Sequence, residues 1–178
     1  MKSLGEEGCC FIKIIIFAFV MERVALFAGS FDPFTRGHEA LVEEALRLFD
    51  KVVIGVGANI SKQGLLSVEQ RLRLIEDLYS TEPRVEVRSY TTLTADFARE
   101  VGATALVRGV RNTIDFEFER SIEMTNRHLA PELTTILLVA PAEYGHISSS
   151  VVRELLAFGH SVAEFMPEGI EIEKYITK

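Results

Sequence analysis

Residues 29–38 place a hydroxyl and an imidazole in one short loop, with the sequence GSFDPFTRGH. A strand-forming run precedes this segment, and an amphipathic helical pattern follows it. A glycine-bearing turn at the start of a helix leaves backbone N–H groups free, and these groups together with the positive helix end bind phosphate. Ser30 and His38 therefore indicate a site for phosphate chemistry. The alternative is an ordinary loop in which Asp32, Thr35 and His38 only cap the helix.

A second segment of the same type covers residues 147–154, with the sequence ISSSVVRE. It also lies between an apolar run and a helical pattern. Three consecutive hydroxyl groups at the start of a helix supply one N-cap and leave two donors for an anion. Between the two segments, Arg108 ends another apolar run. A guanidinium in such a run is costly to bury unless an anion pairs with it.

Strand-like and helical segments alternate along the chain. The predicted strands cover residues 23–28, 51–58, 84–89, 104–108 and 134–140, and the predicted helices cover residues 37–49, 67–79, 94–101, 113–128 and 149–158. Such alternation is typical of an α/β protein with a doubly wound, parallel five-stranded sheet. Ligands of these sheets bind beyond the carboxyl ends of the strands, at the switch point in strand order. Both loops and Arg108 lie at carboxyl ends of predicted strands, which predicts one shared site.

Start and stop signals support these boundaries. Ser67 and Gln70 have the spacing of a capping box, which predicts that a helix begins there. Gly102 is placed to end the third predicted helix. Residues 161–164 predict a short C-terminal helix that Pro167 ends.

The composition is that of a globular chain, with 178 residues, 48% hydrophobic residues and a formal net charge of −7. We assign residues 21–178 to a single domain. The acidic balance argues against a broad nucleic-acid surface, which needs a basic face. Both cysteines, Cys9 and Cys10, lie near the start. Residues 11–178 therefore hold no disulfide framework, cysteine zinc site or thiol nucleophile, and a cytoplasmic location is expected.

Residues 1–20 precede the first predicted strand and contain an apolar stretch that is too short to span a membrane. They also make a poor signal peptide, because Glu6 and Glu7 outweigh Lys2 near the start. We expect that translation starts at Met21 and that residues 1–20 are a mis-assigned start or a disordered extension. The intact mass of the native protein tests this expectation.

The motifs together resemble a known group of enzymes. Thr35 to His38 (TRGH) and the ISSS run resemble the nucleotidylyltransferase superfamily. Residues 108–119 (RGVRNTIDFEFE) and 126–129 (NRHL) narrow the resemblance to the phosphopantetheine adenylyltransferase family. The resemblance covers residues 24–172. It implies a Rossmann-like fold, transfer of the adenylyl group of ATP to 4′-phosphopantetheine in coenzyme A biosynthesis, Mg²⁺ bound with ATP, and a homohexamer.

The resemblance also implies roles for individual residues. His38 is the expected transition-state stabiliser, in contact with the α-phosphate of ATP. The residues expected to bind 4′-phosphopantetheine are Ser30, Lys62, Thr94 and Arg108. The residues expected to bind ATP are Ser30, Phe31, His38, Gly109, Val110, Arg111, Glu119, Tyr144, Gly145, His146, Ile147, Ser148, Ser149 and Ser150.

Some of these roles have structural alternatives. Thr94 also fits helix capping, and Glu119 also fits a solvent-facing helix position. Phe118 stands where the family often has tyrosine, and we interpret it as a packing residue. The histidines other than His38 have no metal-ligand spacing. We therefore expect no metal ligand from the protein, with Mg²⁺ held by the phosphates and water.

Two other functions are compatible with the same superfamily pattern. One is another adenylyl- or cytidylyltransferase, acting on nicotinate mononucleotide or glycerol phosphate, and the RGVR and DFEFE block argues against it. The other is a non-catalytic nucleotide-binding module. The argument against it is the combined presence of His38, Ser30, Lys62, Arg108 and Arg111. A membrane-peripheral protein rests only on residues 1–20, so we expect no membrane partner.

Overall fold

The computed structural model describes residues 22–58 and 64–176, so Lys62 and residues 1–20 lie outside the described part. Its strands are β1 (Val24–Gly29), β2 (Lys51–Gly57), β3 (Val85–Tyr90), β4 (Ala105–Val110) and β5 (Thr134–Val139). They form one five-stranded sheet in the order β3-β2-β1-β4-β5, and every adjacent pair is parallel. This arrangement confirms the predicted fold class.

The helices follow the strands in the predicted alternation. The described helices are α1 (Arg36–Leu48), α2 (Val68–Leu78), α3 (Thr94–Glu100), α4 (Thr113–Leu129), α5 (Ser149–Ala157) and α6 (Glu173–Ile176). The capping box of Ser67 and Gln70 is present, and Gly102 follows α3 with a positive φ of 67°. The predicted short helix near residues 161–164 is a single 3-10 turn, Ala163–Phe165. No described helix is both long and apolar enough to cross a membrane.

Side chains of β1 point alternately to the two sides of the sheet, and both sides are covered. Phe27 packs in the core that contains α1, α2 and α5, whereas Leu26 packs in the core that contains α3. Both side chains are almost completely buried. Burial of one such side chain contributes about 1.5–3 kcal/mol. The central strand is therefore anchored on both faces, which fixes the point where its loop begins.

The sheet opens at the carboxyl ends of its two central strands. Pairing between β1 and β4 stops at Phe27 and Val107. β1 continues to pair with β2 as far as Gly29, and β4 continues to pair with β5 as far as Val110. The strand order also reverses between β1 and β4, so the opening is the switch point at which such sheets bind ligands.

Candidate functional site

A cavity of about 520 Å³ lies at this opening. Its wall is formed by the loop after β1, the end of β4, the first turns of α4 and the start of α5. The predicted ATP-site residues that line it are Ser30, Phe31, His38, Gly109, Arg111, Glu119, Tyr144, Ile147, Ser148, Ser149 and Ser150. Two loops that are more than 100 residues apart in sequence thus meet in one place, as the strand pattern predicts.

A second cavity of about 650 Å³ adjoins the first, beyond the ends of β1, β2 and β3. Thr94 lines this second cavity, and Ser30 and Arg108 line both. The two cavities therefore share a boundary at a hydroxyl and a guanidinium. Two ligands, one in each cavity, would meet beside these two side chains.

The imidazole of His38 has a fixed tautomer. Its Nδ1 accepts a hydrogen bond from the backbone N–H of Thr35, at 3.0 Å, and lies 2.9 Å from the Thr35 hydroxyl. A backbone N–H can only donate, so Nδ1 carries no proton and the proton of the neutral ring is on Nε2. Thr35 is the N-cap of α1. His38 thus caps the helix with one nitrogen and keeps an N–H donor on the other.

The surroundings of His38 keep its ring neutral. Burial, and to a smaller extent the positive charges of Arg111 and Arg108, together lower the pKa of His38 from 6.5 to about 4. Phe31 and Phe34 place their rings 5.2 and 5.3 Å from the imidazole and provide the apolar contact. At neutral pH the ring is therefore a neutral donor and not a cation.

We predict that His38 stays neutral throughout the range from pH 5 to 8. Because folding lowers the pKa of His38, the unfolded chain takes up the proton first, and the stability contributed by this group is lost as the pH falls from 6.5 towards 4. A ¹⁵N NMR titration of the ring, with His38→Ala used to assign the signal, measures the pKa. A titration midpoint near 6.5 would contradict the burial argument.

Arg108 has a carboxylate partner within the protein. Its Nε and Nη2 each donate to a carboxylate oxygen of Glu119, both at 2.7 Å, and Nη1 donates to the backbone carbonyl of Ala28. Glu119 is 8% exposed, so its solvent-facing alternative is wrong. The Ala28 carbonyl lies just past the point where β1 and β4 separate. One N–H on each terminal nitrogen of Arg108 remains available to an anion.

Arg111 is held in a similar way by a carboxylate on α4, one helical turn before Glu119. Its Nε and Nη2 donate to the carboxylate of Asp115, at 2.7 and 3.1 Å. The same pairing raises the pKa of Arg111 and lowers the pKa of Asp115. Two carboxylates spaced by four residues on α4 therefore orient the two arginines at the cavity.

The three serines at the start of α5 have different partners. Ser148 is the N-cap and accepts a hydrogen bond from the N–H of Val151. The Ser149 hydroxyl donates to the carbonyl of Pro33, at 2.8 Å, so its proton is already used. Ser150 accepts from Arg153 and keeps its own proton. Of the two hydroxyl donors expected beyond the cap, one therefore joins α5 to the first loop and one stays available.

Two of the capping alternatives are wrong. Leu93, and not Thr94, is the N-cap of α3, and the Thr94 hydroxyl lies 3.1 Å from the Tyr90 hydroxyl in the wall of the second cavity. Asp32 does not cap α1. Its carboxylate accepts hydrogen bonds from the backbone N–H groups of Leu65 and Leu66.

Some predicted ATP contacts lie outside the lining of either cavity. Val110 is buried at the end of β4, and Gly145 belongs to the turn before α5. The His146 ring packs edge-on against Phe165, with 5.9 Å between the ring centroids. Phe118, interpreted as a packing residue, is 63% exposed and lines the first cavity.

Sequence reasoning missed two residues of the site. Arg153 lines the first cavity and donates to the Asp32 carbonyl at 2.6 Å, and Asp115 also lines it. Both positions carried a signal. Arg153 follows Ser150 by one helical turn within the second loop segment, and Asp115 follows Arg111 at the spacing of a helical ion pair.

Within residues 22–58 and 64–176, no group of three or more His, Cys, Asp and Glu side chains is arranged to hold a metal ion. The two carboxylates that line the first cavity, Asp115 and Glu119, are both paired with arginines. The donor set of the cavity is thus suited to anions.

Comparison with known proteins finds relatives in the family that the sequence motifs resemble. The Cytidylyltransferase-like family profile matches residues 26–155. A phosphopantetheine adenylyltransferase of Porphyromonas gingivalis (strain ATCC 33277) is 48% identical over 152 residues, which cover 85% of this chain and 99% of that protein. The phosphopantetheine adenylyltransferase of Bacteroides thetaiotaomicron is 46% identical over 150 residues, which cover 84% and 99% of the two chains.

Solved structures show the same fold. A bifunctional NMN adenylyltransferase/ADP ribose pyrophosphatase from Francisella tularensis, complexed with AMP and a manganese ion, superposes with a TM-score of 0.65 at 19% identity. The match covers 85% of this chain and 46% of that protein, so the present chain spans less than half of it. From the identity and coverage of its relatives, the chain belongs to the phosphopantetheine adenylyltransferase family and is a nucleotidyltransferase of coenzyme A biosynthesis.

Proposed function

We propose that the first cavity binds ATP, that the second binds 4′-phosphopantetheine, and that the adenylyl group moves between them to give dephospho-coenzyme A and pyrophosphate. The observation that carries this proposal is the shared boundary of the two cavities at Ser30 and Arg108. His38 opens into the first cavity beside this boundary. A nucleophile from one side and a triphosphate from the other would meet there.

The reaction needs little proton transfer. The attacking group is a phosphomonoester, which is mostly dianionic at neutral pH because its second pKa is about 6. The obstacle is repulsion between anions, since two unit charges about 4 Å apart repel by roughly 4 kcal/mol at an effective dielectric constant near 20. Positioning and cationic stabilisation must therefore supply most of the catalysis. Arg108, Arg111 and Arg153 line the cavity in which this repulsion arises.

His38 and Ser30 act on the two phosphates that react with each other. The Nε2–H of His38 donates to a non-bridging oxygen of the α-phosphate as negative charge develops there. Because the ring is already neutral and oriented by Thr35, it needs no rearrangement before the reaction. The Ser30 hydroxyl binds the attacking phosphate and orients it.

The remaining side chains hold the ends of the two substrates. The free N–H groups of Arg108 bind the phosphate of phosphopantetheine, together with Lys62, which is assigned by resemblance. Thr94 contacts the pantetheine arm in the second cavity. Glu119 acts on the substrates through Arg108, whose guanidinium it orients.

ATP is held from β4 and α5. Arg111 and the backbone of Gly109 and Val110 bind it on one side. The loop of residues 144–150 encloses the adenine and the phosphates on the other, with the Tyr144 ring available for stacking. The N-terminus of α5 and Ser150 lie in the lining of the same cavity and would bind the phosphates.

Magnesium enters with ATP as part of the substrate. Both carboxylates in the lining of the first cavity, Asp115 and Glu119, form ion pairs with arginines. The site therefore fits a Mg²⁺ ion that is held by phosphate oxygens and water. When bound, the ion neutralises phosphate charge. We assign no protein ligand to it.

Pyrophosphate release from ATP tests the acceptor. The acceptors 4′-phosphopantetheine, nicotinate mononucleotide and glycerol phosphate are offered separately at equal concentration. We expect turnover with the first alone, because the second cavity adds room for an arm beyond the shared phosphate site. Turnover with nicotinate mononucleotide or glycerol phosphate instead would redirect the assignment within the superfamily, and no turnover with any acceptor would favour the non-catalytic module.

The oligomer and the compartment complete the proposal. A homohexamer follows from the resemblance, and it is supported by exposed apolar side chains on α4, where Ile114 and Met124 are 81% and 64% exposed. Light scattering should give a mass of six chains, and Ile114→Asp with Met124→Asp should lower it. A single-chain mass for the unchanged protein contradicts the hexamer. A reducing cytoplasm fits a domain without cysteines in residues 11–178.

A further inference from the structure

A buried ion pair joins the first loop to the start of α2. The side chains of Asp32 and Arg71 are 8% and 9% exposed, and Arg71 Nε lies 3.6 Å from an Asp32 carboxylate oxygen. This separation is too long for a direct hydrogen bond. Each group instead makes its hydrogen bonds to backbone. The pair therefore holds chain segments and does more than neutralise charge.

Three segments meet at this pair. The Asp32 carboxylate accepts from the N–H groups of Leu65 and Leu66, at 2.9 and 2.8 Å. Arg71 donates from Nε to the Leu66 carbonyl, at 2.9 Å, and from Nη1 to the Ser30 carbonyl, at 3.2 Å. From α5, Arg153 donates to the Asp32 carbonyl. The backbone is thus held on both sides of the residue between Ser30 and Asp32.

That residue, Phe31, has an unfavourable backbone conformation. Its φ is +47°, in the left-handed region that a bulky side chain rarely adopts. Such a conformation persists when the surroundings over-determine it, and it clusters at functional sites. Here the ring is buried against Phe27, Phe34 and His38. The hydrogen bonds to the Ser30 and Asp32 carbonyls hold the backbone while the ring packing holds the side chain.

We propose that Asp32 and Arg71 are positioning residues, which hold Phe31 in its left-handed conformation and thereby direct the Ser30 hydroxyl to the boundary of the two cavities. Neither side chain lines either cavity. Their effect on the reaction passes through the backbone of Ser30. This inference rests on the role proposed above for Ser30 in orienting the attacking phosphate.

The test compares Arg71→Lys with Ser67→Ala. Lysine keeps the charge but cannot donate to the Ser30 and Leu66 carbonyls from one fixed fork. We expect kcat per folded molecule to fall about 10- to 100-fold, because a small displacement of a positioning group has effects of this size. The Kd for ATP should change less than about threefold, since most of its proposed contacts lie at the end of β4 and at the start of α5. Ser67→Ala removes the N-cap of α2 beside the pair, so it lowers the melting temperature and should leave kcat unchanged.

Gly64→Ala provides a second variant if Arg71→Lys folds poorly. A Cβ at Gly64 would lie 2.5 Å from an Asp32 carboxylate oxygen and 2.6 Å from Arg71 Nη2, so it displaces the pair without removing a charge. The same loss of kcat is expected. If either variant melts lower but keeps the kcat of the unchanged protein, the pair is only structural and the inference is wrong. Absence of turnover in the unchanged protein contradicts the proposed function instead, so the two failures are distinguishable.

Discussion

Replacing His38 by alanine lowers kcat by about 10²–10³-fold, the usual loss when one preorganised donor to a developing negative charge is removed. The affinity for ATP should stay nearly unchanged, because the arginines and α5 carry most of its proposed contacts. The donor is lost at the transition state, and the ground state retains its cations. Steady-state kinetics with phosphopantetheine, together with equilibrium binding of ATP, separates the two effects.

The same variant also tests a purely structural role, because His38 caps α1. If capping were its whole role, His38→Ala would lower the melting temperature and leave kcat per folded molecule unchanged. Ser67→Ala serves as the matched control, since it removes a capping hydroxyl from α2, outside both cavities. A loss of about 1 kcal/mol is expected from a missing cap of this kind. If His38→Ala and Ser67→Ala lower the stability by similar amounts but only His38→Ala lowers kcat, the imidazole is catalytic.

Replacing Arg108 by methionine should reduce both stability and activity. Glu119 is 8% exposed, and its carboxylate would lose its two hydrogen bonds from Arg108. Removal of one partner of a buried ion pair costs about 3–5 kcal/mol, because the other charge stays buried without compensation. The Ala28 carbonyl also loses its donor. Urea unfolding measures the stability, and the acceptor KM and kcat measure the function.

A second substitution separates the two roles of Arg108. Replacing Glu119 by leucine in the Arg108→Met background removes the unpaired charge, so most of the stability should return. Activity should stay lost, because the cation for the acceptor phosphate is still absent. Recovery of activity in the double variant would contradict the phosphate-binding role. A single variant with unchanged stability would show that the ion pair contributes little to the fold.

Much of this protein could be predicted from local patterns. The alternation of strands and helices gave the correct fold class, since period and capping signals depend on neighbouring residues. The loop of residues 29–38 and the ISSS run were predicted to share a site because parallel strands bring their carboxyl ends to one edge. β4 was predicted to end at Arg108 but extends to Val110, because its pairing with β5 continues beyond the opening.

The partners of the charged side chains were decided by the tertiary structure. Asp32 fits a helix cap in sequence, yet it binds backbone N–H groups more than 30 residues away. Arg108 was expected to bind a substrate anion, yet its guanidinium is also paired with Glu119. The amino-acid sequence thus determined which chemical groups are present and at which edge of the sheet they lie. Only the packed fold decided which atoms they contact, because those directions depend on side chains brought together from distant segments.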